Sequence, residues 1–171
     1  RFNSPVIGPQ SAPVTIVEFI DPACEACKAF HPIVKQIMAR YPDKVRLVVR
    51  YAAFHDGSDE AVRIVEAGRK QGLFLPVLEA LYAAQPQWAS HGAPDLDIAW
   101  QAAAQTGLDL AKARIDAQAD DVTATLNQEM QDVEALGVNQ TPTFYVNGRE
   151  LTDFGPQQVA DLVAEEVKKA R

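Results

Sequence analysis

The stretch Val-Thr-Ile-Val-Glu-Phe-Ile-Asp-Pro-Ala-Cys-Glu-Ala-Cys-Lys-Ala-Phe, from Val14 to Phe30, narrows what this chain can become more than any other. Val14 to Ile20 is β-branched and apolar enough for a fully buried strand. Asp21-Pro22 breaks it. Cys24 and Cys27 follow, and a helical pattern begins at once. Backbone N–H groups at a helix N-terminus lack intrahelical partners and carry partial positive charge. A thiolate placed there is stabilised, so the thiol loses its proton more readily and becomes a nucleophile near neutral pH. The second cysteine sits one turn later, within reach of a disulfide to the first. Cys24-Glu25-Ala26-Cys27 therefore reads as a two-electron redox site. Two plainer readings compete with it. A structural bridge that closes so small a loop restrains the unfolded chain least. Half of a zinc site would need further ligands, but the chain has 2 cysteines, and its 3 histidines (His31, His55 and His91) show no paired ligand spacing.

A length of 171 residues predicts one domain with room for a large insertion, and 47% hydrophobic residues suffice for a real core. A net charge of -7 with no basic run argues against a nucleic-acid or anionic-membrane partner. No apolar stretch reaches about 18 residues, so no membrane span is expected. The chain begins at Arg1 rather than Met, which fits removal of an upstream segment such as a secretory signal.

Arg1 to Pro13 reads as an extended lead-in, with Ser4 to Ile7 able to add a short edge strand. After Cys24, the residues Phe30, Ile33, Val34, Ile37, Met38 and Tyr41 form one apolar helical stripe that would pack on a sheet. Pro32 lies inside this pattern and is expected to kink it; Pro42 ends it. Lys44 to Tyr51 is the next strand, so the first part of the chain is a βαβ unit with a right-handed crossover and parallel strands. Asp56 to Leu136 changes character and shows no convincing strand. Ser58 or Asp59 would cap a helix to about Gln71, and Leu73 to Ala84 forms the next. Gln85 to Pro94 reads as a loop, followed by short helices over Asp95–Thr106 and Asp109–Ala117. Asp120 or Asp121 would cap a longer helix with Val122, Leu126, Met130 and Val133 on one face and Gly137 after its end. Thr141 to Thr152 returns to strand, with Asn147-Gly148 as a type I′ hairpin turn. Gly155-Pro156 starts a last helix with Val159, Leu162, Val163 and Val167 on one face.

The order is β, α with Cys-x-x-Cys, β, helical block, β-hairpin, α, with Thr141-Pro142 just before the hairpin. Together with Val-Glu-Phe before the cysteines and Pro32 in the helix, this resembles the DsbA-like branch of the thioredoxin superfamily over nearly the whole chain. The resemblance implies an α/β thioredoxin fold, a central mixed sheet with flanking helices. Its core would span residues 11–54 and 137–171, with an all-helical insertion over 55–136 in the same single domain. It also implies thiol–disulfide exchange with cysteine-containing protein substrates, in the periplasm or another extracytoplasmic compartment. No cofactor is implied beyond the redox-active Cys24–Cys27 disulfide. A membrane or soluble redox partner would recycle that disulfide. Oxidase, reductase and isomerase directions all remain open.

The residues then take expected roles. Cys24, at the helix start, is the exposed nucleophile; Cys27, one turn in and more buried, resolves the mixed disulfide. Glu25-Ala26 departs from the Pro-His of the family's strong oxidants. Ala26 donates nothing, and Glu25 places negative charge beside Cys24, so a less oxidising disulfide is expected. In the resembled fold Pro142 is cis and turns the backbone of Thr141 outward, where its N–H and C=O can pair with an extended substrate. Thr141 itself is more like the isomerase and reductase members than the oxidases, which often have Val. Glu18 matches a buried acid that assists proton transfer at the second cysteine, with Arg50 as a candidate partner. His31, His55 and His91 read as bland surface or loop positions, Trp88 and Trp100 as packing anchors, and Asn139-Gln140-Thr141 as a chance match to a glycosylation pattern. The rival function is thiolate-based copper binding or tolerance on the same fold.

Overall fold

The computed structural model describes residues 3–170. The chain divides into two compact units, one built from residues up to 20, 26–50 and 140 onwards, the other from 21–25 and 51–139.

The first unit holds a five-stranded sheet: β1 (Val6–Ile7), β2 (Val14–Ile20), β3 (Val45–Tyr51), β4 (Thr143–Val146) and β5 (Arg149–Glu150) in the order β1-β3-β2-β4-β5. Its core is the apolar run read from the sequence. Val14, Ile16, Phe19 and Ile20 of β2 are buried, as are Val45, Leu47 and Val49 of β3. Thr15 and Val17 are only half-buried, so β2 is less enclosed than its composition suggests. β2 and β3 lie side by side at the centre, the neighbours that a strand–helix–strand crossover joins. β4 runs antiparallel to β2, pairing Glu18 with Phe144 and Phe19 with Thr143. Asn147 (φ 49°) and Gly148 (φ 79°) both take the left-handed conformation that a type I′ turn requires. The Asn147 side chain ties that turn back to β2 by accepting the Thr15 N–H at 2.8 Å.

The helix α1 (Glu25–Arg40) buries Phe30, Val34 and Ile37, and continues through Pro32 as one element. Ile33, Met38 and Tyr41, expected in the same stripe, are half-buried. Phe30 meets the rings of Phe144 at 5.6 Å and Phe154 at 4.9 Å. The last helix of the chain (Pro156–Lys169) buries Val159, Leu162, Val163 and Val167 as its pattern predicts.

The second unit is helical: α2 (Ser58–Lys70), α3 (Phe74–Ala83), α4 (Gln85–Trp88), α5 (Leu96–Ala104), α6 (Leu110–Ala117) and α7 (Asp120–Leu136), which makes the terminal helix α8. α2 is its centre, with Ala61, Val62, Ile64, Val65 and Ala67 fully enclosed. Gly68 of α2 lets α3 approach so closely that a Cβ there would stand 2.7 Å from Val77 Cγ2. Asp95 and Asp109, where the two short helices were expected to begin, cap α5 and α6 by accepting backbone N–H groups of the first turns.

Four expectations need correction. Residues 85–88, read as loop, form α4, because Trp88 is fully buried and its Nε1–H reaches Leu81 O at 2.8 Å. Neither Ser58 nor Asp59 caps α2; Gly57, left-handed at φ 81°, precedes the helix, and the Ser58 hydroxyl is engaged elsewhere. Neither Asp120 nor Asp121 caps α7, whose N-cap is Ala119. Met130 is exposed, and its place in the buried face of α7 goes to Glu129. The Glu129 carboxylate accepts the Tyr51 N–H at 3.0 Å, a backbone donor that an apolar side chain would leave unpaired. Tyr51 is also held by its hydroxyl, which donates to Glu66 at 2.6 Å. Burial, with the Glu66 charge beside it, pushes the Tyr51 phenol well above its ordinary pKa.

Candidate active site

The cysteine pair sits where strand chemistry gives way to helix chemistry. Asp21-Pro22 ends β2, and Cys24 immediately precedes α1, whose first turn contains Cys27. Cys24 was expected to be exposed. It is 7% exposed against 0% for Cys27, so it is the more accessible of the two, but still largely covered.

The turn that carries Cys24 is fixed at both ends of that residue. The Cys24 N–H donates to Asp21 O at 2.9 Å. The Cys24 carbonyl accepts from Gln85 Nε2 at 2.9 Å, and the same amide donates to Pro22 O at 2.8 Å. Gln85 is buried at the start of α4, so a helix formed far along the chain supplies the clamp.

Asp21 is wholly buried, and its carboxylate is saturated with donors. Oδ1 accepts the Ala23 N–H at 2.9 Å and the Ser58 hydroxyl at 2.6 Å. Oδ2 accepts the backbone N–H groups of Phe54 at 2.9 Å and His55 at 3.2 Å, and lies 2.7 Å from His55 Nδ1. A carboxylate acceptor fixes the proton on Nδ1. The hydrogen bond to Asp21 holds the imidazole above its ordinary pKa; partial burial opposes this, and the negative charges of Asp21, Cys24 and Asp56 reinforce it. The His91 ring lies 5.9 Å from that of His55, and His91 Nε2 is 3.4 Å from Glu25 Oε1. Ala23, Phe54, His55, Asp56, Ser90 and His91 line an open pocket of about 240 Å³.

The sheet unit carries the other residues singled out in the sequence. Cys27 is enclosed in α1. Glu18 is buried in β2 opposite Phe144. The guanidinium of Arg50, also buried, stands 4.9 Å over the Phe19 ring. The Thr141–Pro142 bond is cis, with Pro142 buried and Thr141 half-buried. Thr143 Oγ1 donates to Gln140 O at 2.6 Å across this bend. Glu25 is exposed and Ala26 half-buried. Asp21, His55, Ser58 and Gln85 were not predicted as site residues. Asp21 read only as a strand breaker, His55 as a loop histidine and Gln85 as loop; no local pattern marks residues that meet across 34 to 63 positions.

A family model described as Thioredoxin matches residues 2–165 of this chain. The chain belongs to the thioredoxin family. It shares the fold of a DsbA-type protein, alpha-DsbA1 from Wolbachia pipientis, at 17% identity and a TM-score of 0.85 over 98% of this chain and 92% of that one. A thioredoxin-like oxidoreductase from Silicibacter pomeroyi DSS-3 superposes with a TM-score of 0.83 at 31% identity, covering 99% of this chain and 94% of that one. BdbD from Bacillus subtilis, at 24% identity and a TM-score of 0.84 over 96% of this chain and 93% of its own, shares the fold. The expected fold class, a mixed sheet with flanking helices and a helical insertion, is the observed one. Among curated sequences, a protein named Na(+)/H(+) antiporter NhaA from Herminiimonas arsenicoxydans is 31% identical over 144 residues, 84% of this chain but 22% of that protein. The chain thus spans about a quarter of the length of the curated relatives it matches. No helix among the described residues is long and apolar enough to cross a membrane. This member of the thioredoxin family places its cysteine pair at the start of α1.

Proposed function

We propose that this domain exchanges disulfides with cysteine-containing protein substrates through Cys24 and Cys27. The Cys24 thiolate attacks a substrate disulfide, forming one S–S bond and expelling a substrate thiolate, which takes up a proton. Cys27 then loses its proton and attacks the Cys24 sulfur. That releases the second substrate thiol and leaves the Cys24–Cys27 disulfide. The reverse sequence passes the disulfide to a reduced substrate, and a redox partner resets the pair. Glu18 is the base that takes the Cys27 proton and returns it. The Thr141 backbone, turned by Pro142, pairs with the extended substrate as an added strand, with Glu25 and Ala26 on the approach to Cys24.

The observation that carries this reading is the clamped turn. Cys24 has its N–H on Asp21 and its carbonyl on Gln85, at the N-terminus of a sixteen-residue helix. Such preorganisation is what in-line attack on sulfur requires. An extracytoplasmic setting suits a disulfide carrier. It is supported by the fold shared with a periplasmic thioredoxin-like protein from Salmonella enterica serovar Typhimurium.

Replacing Cys24 with Ser is expected to abolish insulin reduction and disulfide transfer; retained activity would sink the mechanism. Equilibration with glutathione buffers fixes the direction. With Glu25-Ala26 in place of Pro-His, the potential is expected near about -180 mV or below, and a value near about -120 mV would contradict that reasoning.

A further inference from the structure

We infer that Asp21 and His55 form a positioning pair that stabilises the Cys24 thiolate, supplying near it the positive charge that Glu25-Ala26 does not. This rests on the exchange reaction proposed above and adds residues to it that lie outside the Cys-x-x-Cys motif.

The geometry is that of a built device. One fully buried carboxylate receives five hydrogen bonds, and two of its oxygens' partners belong to His55. The ring is therefore fixed in tautomer and direction. Asp21 simultaneously holds Cys24, because its carbonyl accepts the Cys24 N–H. One residue thus sets both the sulfur-bearing backbone and the imidazole. His55 and Ala23, the residue before Cys24, line the same open pocket. Consistently, the negative charge of Cys24 is among the causes that raise the His55 pKa.

The other charges around His55 are Asp56 and, through the ring contact, His91 with Glu25. The His91–Glu25 contact joins side chains 72% and 81% exposed, where solvent screens it. In the Asp21–His55 pair the carboxylate is 0% exposed and the imidazole 35%. The imidazolium is thus held by an unscreened partner while one edge stays open to the pocket. A positive group so placed favours the charged form of a neighbouring thiol.

The test reads ionisation directly. In a Cys27→Ser background only Cys24 titrates, and its thiolate is followed by ultraviolet absorbance and by the pH dependence of iodoacetamide alkylation. His55→Gln keeps a hydrogen-bond donor for Asp21 and removes the charge. It is expected to lower the Cys24 ionisation constant by about three- to tenfold. In the two-cysteine protein a tenfold loss in the glutathione equilibrium would make the disulfide about 30 mV less oxidising. An unchanged Cys24 titration overturns the inference. The coupling is also reciprocal. In the otherwise unaltered chain, the His55 ring, followed by NMR, must titrate at lower pH in Cys24→Ser than in the reduced protein. Superimposable His55 curves overturn the inference even if His55→Gln does not fold. Activity surviving in Cys24→Ser would instead defeat the exchange reading, a separate outcome.

Discussion

Replacing Gln85 with Met removes an amide donor and keeps most of its volume. Gln85 is 4% exposed, and its Nε2 serves two carbonyls, Pro22 O at 2.8 Å and Cys24 O at 2.9 Å. Methionine fills the space but donates to neither. A buried hydrogen bond is worth about 0.5–1.5 kcal/mol net, and leaving its acceptor unsatisfied costs about 1–3 kcal/mol. Together these ranges give about 1.5–4.5 kcal/mol. Urea unfolding of the reduced protein measures it. With a slope of about 2 kcal/mol/M for a domain of this size, the midpoint should fall by about 0.75–2.25 M at unchanged slope. A fall below about 0.25 M would mean that the amide contributes little, and the clamp on the cysteine turn would have to be abandoned.

Two further outcomes concern stability. The hydrogen bond from Asp21 raises the His55 pKa on folding. Its stabilisation is therefore fully present below the ordinary imidazole value of 6.5 and is lost as pH rises through the raised one. The difference in urea midpoint between the natural protein and His55→Gln should be widest below pH 6.5 and narrow above it; a pH-independent difference would refute this. Gly68→Ala should destabilise, because the added Cβ would meet Val77 Cγ2 at 2.7 Å and β-branched valine cannot swing away freely. Overpacking of about 1–3 kcal/mol exceeds the helix-propensity gain of about 0.5–1 kcal/mol. Adding Val77→Ala should reverse the sign of the Gly68→Ala effect, and an additive double variant would show that the helices adjust instead.

Features with local causes were legible in the sequence. The β2 run, the Asn147-Gly148 turn, the starts of α5 and α6 and the stripe on α8 each depend on residues within one element. The misses share a different cause: a polar side chain chose a distant partner over a local one. Ser58 has the chemistry of a helix cap, yet its hydroxyl serves Asp21, 37 positions earlier. Glu129 interrupts an apolar face because a backbone N–H, 78 positions away, needs an acceptor. Gln85 looked like loop because the four-residue α4 depends on the burial of Trp88. At the candidate site, Cys24 and Cys27 stood out by their spacing, and Thr141 and Pro142 only through the family resemblance. Asp21, His55 and Gln85 were not, because only the tertiary fold brings them to the turn.

The clamp on Cys24 also has a consequence for the order in which the protein is made. Gln85 lies 61 positions beyond Cys24, and Tyr51 waits on Glu129. A chain emerging from its N-terminus therefore presents Cys24 long before the amide that holds its carbonyl exists. During that interval the turn that carries Cys24 lacks the amide that holds its carbonyl, so its backbone geometry is completed only after the chain has reached Gln85.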